Sequence, residues 1–446
     1  MAGNTIVNMF KVKELRNRLL FTIAVLAVYR LGCVLTIPGI DASVLFDYFK
    51  ANKNDFASYM DFFVGGAFSQ FSVFMLGVMP YISTQIIMQL LMIVFPSIKR
   101  TMQEDGGQQK FALWTRVGTI FVCIIQAFAV TAYASSIQVN GTPAITVADP
   151  TTFKFLAILT VTTGSMITVW LGDQITARGI GNGISIMIFA GIVARIPSAL
   201  ASLVGGVQDG SINVMFVVAA VIIYVAIIAL VAFEEGGERK IPVHYAKRVV
   251  GRRMYGGQST YIPFKVNPSN VIPLIFASSF LTLPMQLISS AAESYGADAP
   301  SWMRGLSYFL SPGGIWYNVL LVVLIIFFAY FYTQVTLNPT EIAKQIRENG
   351  GSIPGVSADK TESTLQKILN RLVLPGSLFL AVIAVLPTVI VRLFGFPSDV
   401  ANLMGGTSLI IMVGVATDTM AQIEALLKMH HQDGLVKKGK IRSRNL

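Results

Sequence analysis

The chain of 446 residues is 54% hydrophobic and only 13% charged, with 34 Lys and Arg against 23 Asp and Glu. A soluble domain carries about 25% charged residues, so a soluble fold of this length would lack the polar side chains to cover its surface. The same numbers exclude a disordered chain and a disulfide scaffold, and leave an integral membrane protein with a net charge of +11.

A hydrocarbon core about 30 Å thick takes roughly 20 apolar residues per helix. Ten stretches qualify: 19–37, 62–95, 111–133, 153–171, 183–204, 213–233, 271–291, 315–336, 372–394 and 402–427. The first follows Lys11, Lys13, Arg16 and Arg18 like a secretory leader. No small-x-small cleavage site follows it, so an uncleaved helix is expected. The second is too long for one straight crossing and is interrupted by Gly65-Gly66, Ser69, Gln70 and Ser72. A short apolar helix over 62–70 and a full helix from about Phe74 are expected. Broken backbone at membrane depth survives only under protein or beside water. Two readings stand for it: a half-inserted segment lining a cavity, or an outer-surface loop before a helix.

Further along, Gly179-Ile180-Gly181-Asn182-Gly183 follows a membrane helix, not a strand. It reads as a tight turn with Asn182 near a helix start, rather than as a phosphate cradle. Of the two long loops, 234–270 contains the strand-like alternation Ile241-Pro242-Val243-His244-Tyr245 and a basic tip, so a hairpin is expected. The other, 337–371, opens on the N-cap signal Asn338-Pro339-Thr340, continues as a helix from Glu341 to Glu348 and stops at Gly350-Gly351.

Lys and Arg sort by side. Segments 1–18, 96–110, 172–182, 234–270, 337–371 and 428–446 hold 26 of them, and the five alternating segments hold 3. That asymmetry places both termini and both long loops in the cytoplasm. Ten spans divide into five and five near 205–212, and homologous halves of five helices are necessarily inverted. The expected organisation is an N-terminal half 1–204, a C-terminal half 205–428 and a basic tail 429–446.

Ionisable residues are scarce inside the spans. Arg30 and Arg195 lie toward the outer ends, Asp418 and Glu424 toward the cytoplasmic end of the last helix, each placed to snorkel or to pair at an interface. Cys33 and Cys123 sit in apolar segments, and His244, His430 and His431 lie outside the spans. No nucleotide loop or intramembrane protease signature is present. Neither catalysis, nor a metal, nor a cofactor is expected: the chain is a conduit or a scaffold.

Several stretches are recognisable. They are Gly77-Val78-Met79-Pro80-Tyr81-Ile82-Ser83, the run from Gly172-Asp173-Gln174 to Gly183-Ile184-Ser185, Tyr245-Ala246-Lys247-Arg248 and Gly251-Arg252-Arg253. Val271-Ile272-Pro273-Leu274-Ile275-Phe276-Ala277-Ser278-Ser279, Asn338-Pro339 and Gly405-Gly406-Thr407-Ser408-Leu409 complete the set. In these motifs and their order the sequence resembles the SecY family, the channel subunits of the bacterial Sec protein translocase.

The resemblance implies an all-α polytopic fold: ten helices in two inverted five-helix halves around a narrow waist, in the bacterial cytoplasmic membrane. The waist's aliphatic ring maps onto Val78, Ile82, Ile188, Ile275 and Ile411. A plug helix maps onto Phe62, Phe63, Val64, Gly65, Gly66, Ala67, Phe68, Ser69 and Gln70, which favours the cavity reading of that break. Ser83, Gln89, Gln126, Ser278 and Ser279 supply a polar lateral gate. Lys247, Arg248, Arg252, Arg253 and Lys360 fall on the docking loops. Implied partners are SecE, SecG, the SecA motor ATPase, the ribosome, signal sequences, nascent secretory chains and membrane lipid. One departure stands out: where the family carries an Arg after Pro-Gly-(Ile/Val), this chain reads Pro354-Gly355-Val356-Ser357-Ala358-Asp359-Lys360. The rival reading is a small-solute secondary transporter with an inverted-repeat fold, which demands a polar midplane site that the bare spans do not offer. A pure membrane scaffold is the third.

Overall fold

The computed structural model describes residues 12–51, 61, 64–139, 142–147, 149–210, 213–245, 248–250, 253–255, 259–295, 300–311, 314–394 and 406–438. Its first half contains α1 (Lys13–Val34), α2 (Ala42–Ala51), α3 (Met79–Val94), α4 (Pro96–Gln103), α5 (Gly107–Ser136), β1 (Gln138–Val139), β2 (Thr142–Pro143), α6 (Pro150–Arg178), α7 (Gly183–Ala194) and α8 (Ile196–Gln208). There follow α9 (Val214–Glu235), β3 (Glu238–Tyr245), β4 (Arg248–Val250), β5 (Arg253–Tyr255), β6 (Ser259–Lys265), α10 (Ile272–Tyr295), α11 (Ser301–Phe309), α12 (Ile315–Thr336), α13 (Pro339–Glu348), β7 (Gly351–Ser352), α14 (Thr361–Phe394) and α15 (Gly406–Lys438).

Asx side chains start four of these helices. Asp149, Asn182, Asn213 and Asn338 each accept a backbone N–H of the first turn, satisfying a donor that has no partner within the helix. At Asp149 the Thr152 hydroxyl and the Thr151 N–H both donate to the carboxylate and hold its pKa below the ordinary value. The expected turn at 179–183 is present: Gly181 has φ +77°, and Asn182 caps α7 by accepting from the N–H groups of Ile184 and Ser185.

Among the described residues, 8 helical stretches are long and apolar enough to cross a membrane. Two shorter apolar helices, the 16-residue α3 and Ile272–Thr282 within α10, occupy the remaining two expected spans. Two expectations need correction and one is refined. The helix expected from about Phe74 begins at Met79, with Pro80 in its first turn. The expected span 183–204 is present as the apolar stretch Gly183–Gln208, with a one-residue turn at Arg195 between α7 and α8, because Pro197 has no N–H to donate and its ring clashes with the preceding turn. The span 372–394 belongs to a helix that starts at Thr361, inside what was expected to be loop.

The chain forms two compact units, residues 1–198, 286–304 and 415–446, and residues 199–285 and 305–414. In the first, α6 packs on α1, α5 and α7, and α5 packs on α3. Glycines permit these approaches: a Cβ on Gly183 would stand 1.9 Å from the carbonyl oxygen of Gly172. The turn at 179–183 is held by Thr22 Oγ1, which accepts the Ile180 N–H, and by Gln422 Oε1, which accepts the Gly181 N–H.

In the second unit the loop 234–270 is the expected hairpin. β3 and β6 run antiparallel from Glu238↔Lys265 to His244↔Ser259, and β4 pairs β5 from Arg248↔Tyr255 to Val250↔Arg253. The other long loop joins it. β7 adds to the free edge of β3 at His244↔Ser352 and Tyr245↔Gly351. Ile241, Val243 and Phe264 of the hairpin share one core with Ala343 and Ile346 of α13, Ile353, and Leu365, Leu369 and Leu372 of α14. Each such leucine contributes about 1.5–3 kcal/mol by its burial, so the two loops form one small domain.

Candidate conduit, gate and docking residues

Residues 65–78 are the irregular part of the first unit. Val64 is helical, but 65–70 are turns and a bend, so the short helix expected over 62–70 does not extend through them; Phe62 and Phe63 lie outside the described residues. The cause is backbone sign: Gly65 and Gly66 have φ +71° and +95°, Phe71 +43° and Gly77 +53°, which no right-handed helix accommodates. Unwound backbone inside an apolar protein needs partners. The Ile37 N–H donates to the Phe71 carbonyl at 2.9 Å and the Val73 N–H to the Leu35 carbonyl at 2.8 Å, so the exit of α1 satisfies the segment in β-like fashion.

The packing is tight. Phe68 and Phe71 are buried with ring centroids 5.9 Å apart, and Phe74 stacks on Tyr29 and fills the space over Gly32. A Cβ on Gly164 of α6 would lie 1.9 Å from the Val73 carbonyl oxygen. Polar contacts add to this. Arg195 Nη2 meets Asp61 Oδ2 at 2.7 Å, Asp61 Oδ1 accepts the Ser69 N–H at 3.0 Å, and Arg30 Nη1 donates to the Gly65 carbonyl at 2.9 Å. Arg30 and Arg195 were expected to snorkel or pair; in the structure both reach this segment.

Of the candidate ring, Val78 at the N-cap of α3, Ile82 on α3 and Ile188 on α7 are buried in the first unit. In the second unit Ile411 on α15 is buried, and Ile275 on α10 is half-buried. Of the candidate gate residues, Ser83, Gln126, Ser278 and Ser279 are buried and Gln89 is half-buried. The Ser278 hydroxyl donates to the Ile275 carbonyl at 3.0 Å. Among the described residues, Gln89 Oε1, Gln126 Oε1 and Ser279 Oγ have no hydrogen-bond partner. Each such buried atom costs about 1–3 kcal/mol.

The docking candidates fall at the loop domain. Arg248 and Arg253 lie on β4 and β5, whereas Lys247 and Arg252 lie outside the described residues. Lys360 is exposed at the end of the 3-10 turn Ala358–Lys360, and Ser357 serves as that turn's N-cap. Sequence reasoning missed the Asp61–Arg195 pair, 134 residues apart, and the union of the two loops through β7. A two-residue strand carries no periodic signal.

The SecY family model matches residues 72–420. The chain belongs to the SecY family. It is 45% identical to the protein translocase subunit SecY of Borreliella burgdorferi over 94% of both chains. Its fold is similar to that of a protein-conducting channel, with TM-score 0.66, 20% identity and 95% of each chain covered. Sec61 in the canine ribosome-channel complex from the endoplasmic reticulum is also similar, at TM-score 0.62, 20% identity and 95% of each chain covered. By family, then, this SecY-type chain is a multi-pass protein translocase subunit, and the small-solute transporter reading gives way to the channel.

Proposed function

We propose that the chain passes unfolded secretory polypeptides out across the bacterial cytoplasmic membrane and releases membrane segments sideways into lipid. The observation that carries this reading is the kinship with a protein translocase subunit over 94% of the chain. Two inverted halves, 1–204 and 205–428, enclose the path, with both termini and the tail 429–446 in the cytoplasm, as the 26-to-3 division of Lys and Arg supports.

Val78, Ile82, Ile188, Ile275 and Ile411 form the seal. Branched aliphatics offer an ion no ligand in exchange for its hydration shell, so an apolar constriction closes by dewetting. A polypeptide pushes such side chains aside and is gasketed by them. The segment 62–70 is the plug; the turns over 65–70 and the close packing at Gly65 suit an element that seats without belonging to a helix. At the gate, the polar seam of Ser83, Gln89, Gln126, Ser278 and Ser279 is worth on the order of 1 kcal/mol per contact, weak enough for a signal sequence to intercalate. Enzymatic chemistry is left to partners: SecA supplies ATP energy and the ribosome supplies nascent chains, with SecE and SecG as companion membrane subunits.

The joined loops are the docking platform. Their basic residues Lys247, Arg248, Arg252 and Arg253 suit anionic surfaces such as rRNA or acidic protein. Lys360 supplies the cation that Ser357 does not. Proteoliposomes bearing the purified chain and its companion subunits should render an unfolded secretory polypeptide protease-resistant when motor and ATP are added. With Arg252→Glu and Arg253→Glu together, the protected yield should fall about 10-fold at low salt, and motor or ribosome binding should lose salt dependence. Undiminished binding would place docking elsewhere; no protected polypeptide with the parent chain would contradict the function.

A further inference from the structure

We infer that Asp61 and Arg195 are positioning residues that form a catch, an ion pair whose closure holds the segment 64–70 in its seat. The inference rests on the plug reading above and adds what fastens the plug. The geometry is local to the first unit. Asp61 is 4% and Arg195 24% exposed, and their charged atoms meet at 2.7 Å. The second carboxylate oxygen of Asp61 accepts the Ser69 N–H at 3.0 Å, and the Asp61 carbonyl accepts the Gly66 N–H at 2.9 Å. Asp61 therefore holds the front of the segment through its backbone carbonyl and the back through its carboxylate, and the carboxylate also meets Arg195.

Arg195 can do this only because α7 stops there. Pro197 ends the helix, and the Arg195 N–H turns back to the Ile192 carbonyl at 3.1 Å, which places the guanidinium at a helix break. A Cβ on Gly66 would stand 3.6 Å from Arg195 Nη1 and one on Gly65 2.6 Å from Arg30 Nη1, so both guanidinium groups lie directly on the glycine pair. The bonds from Asp61, Arg195 and Arg30 reach backbone or charge and need no particular side chain on the segment. Such a fastening suits release. When the segment leaves, water reaches Asp61 and Arg195 together, and neither is left buried alone. Removing one partner while the other stays buried leaves an uncompensated charge, which is the costly case.

Resting ion conductance of the purified translocase in planar bilayers tests this, with four variants: Asp61→Asn, Arg195→Gln, the two combined, and deletion of 64–70 as the reference. The deletion and each single variant should raise resting conductance about 10-fold, and each single variant, which strands one charge of the pair, should also lose some thermal stability. The combined variant should leak no more than either single one. Asp61→Cys with Arg195→Cys should leak until a bifunctional thiol reagent bridges them, after which the channel is tight and translocation is blocked. A leaking deletion beside tight single variants would overturn the catch and leave the plug standing. A tight deletion would overturn the plug reading, and the catch with it. Leak from the single variants with no tightening when the cysteine pair is bridged would mark the pair as structural and count against the catch.

Discussion

Replacing Gly164 by valine should lower the melting temperature of the detergent-solubilised protein by several degrees and open the resting channel to ions. The reason is steric. Gly164 stands in the middle of α6, and a Cβ there would lie 1.9 Å from the carbonyl oxygen of Val73 and 2.8 Å from its carbonyl carbon. Those are backbone atoms, and the Val73 N–H is already committed to the Leu35 carbonyl at 2.8 Å, so the strand-like stretch cannot step aside without losing that bond. Overpacking of this kind costs about 1–3 kcal/mol, and more where backbone is the obstacle. The displaced stretch leads straight into Val78 and Ile82, which couples stability to the proposed seal. An unchanged melting temperature and an unchanged leak would show that the unwound segment does not depend on α6.

A comparable effect is expected from polar substitution in the ring. Ile82→Asn with Ile188→Asn places two amides where buried aliphatics now stand, both within the first unit. Amide oxygens and N–H groups offer hydration where alkyl groups offer none, so the dewetting barrier falls. Resting conductance should rise about 10-fold, since a loss of about 1.4 kcal/mol from a barrier is a factor of ten. Ile82→Leu with Ile188→Leu, which keeps the ring apolar, should leave the resting membrane tight. Equal leak from both pairs would mean that packing, not polarity, closes the path.

How much of this was legible in the sequence depends on the range of the interaction. Apolar run length is local, and it located a helix for each expected span. Caps are local too: Asn338-Pro339 and Asn182 announce the starts of α13 and α7, and both caps are made. Hydropathy misjudged helices that leave the apolar zone. The first turns of α14 from Thr361 are polar enough to read as loop, yet Leu365 and Leu369 make them helix by packing on Ala343 and Ile346. The Gly65-Gly66 break was visible as a break, but not its conformation. Positive φ at Phe71 is imposed by the hydrogen bonds of 71 and 73 to the exit of α1 and has no sequence signature.

Charge told a similar story. The division of Lys and Arg was readable because topology sums over whole loops. Arg30 and Arg195 were visible as oddities within apolar spans, but their partners, the Gly65 carbonyl and Asp61, lie 35 and 134 residues away. Contacts at that separation come from the fold and not from spacing. The candidate ring is the extreme case, because a buried isoleucine in a membrane helix has no signature of its own. Only the family motifs single out these five residues.

The most direct measurement is therefore at the ring. Cysteines at Ile275→Cys and Ile411→Cys, each in a translocase arrested with a secretory chain partly exported, should form crosslinks to that chain when a thiol-reactive group is placed along it. A cysteine at the exposed, lipid-type position Phe233→Cys should not. Crosslinks at both ring positions and none at Phe233 are the result predicted for a protein conduit through this chain. An arrested chain that reaches no ring position would contradict it.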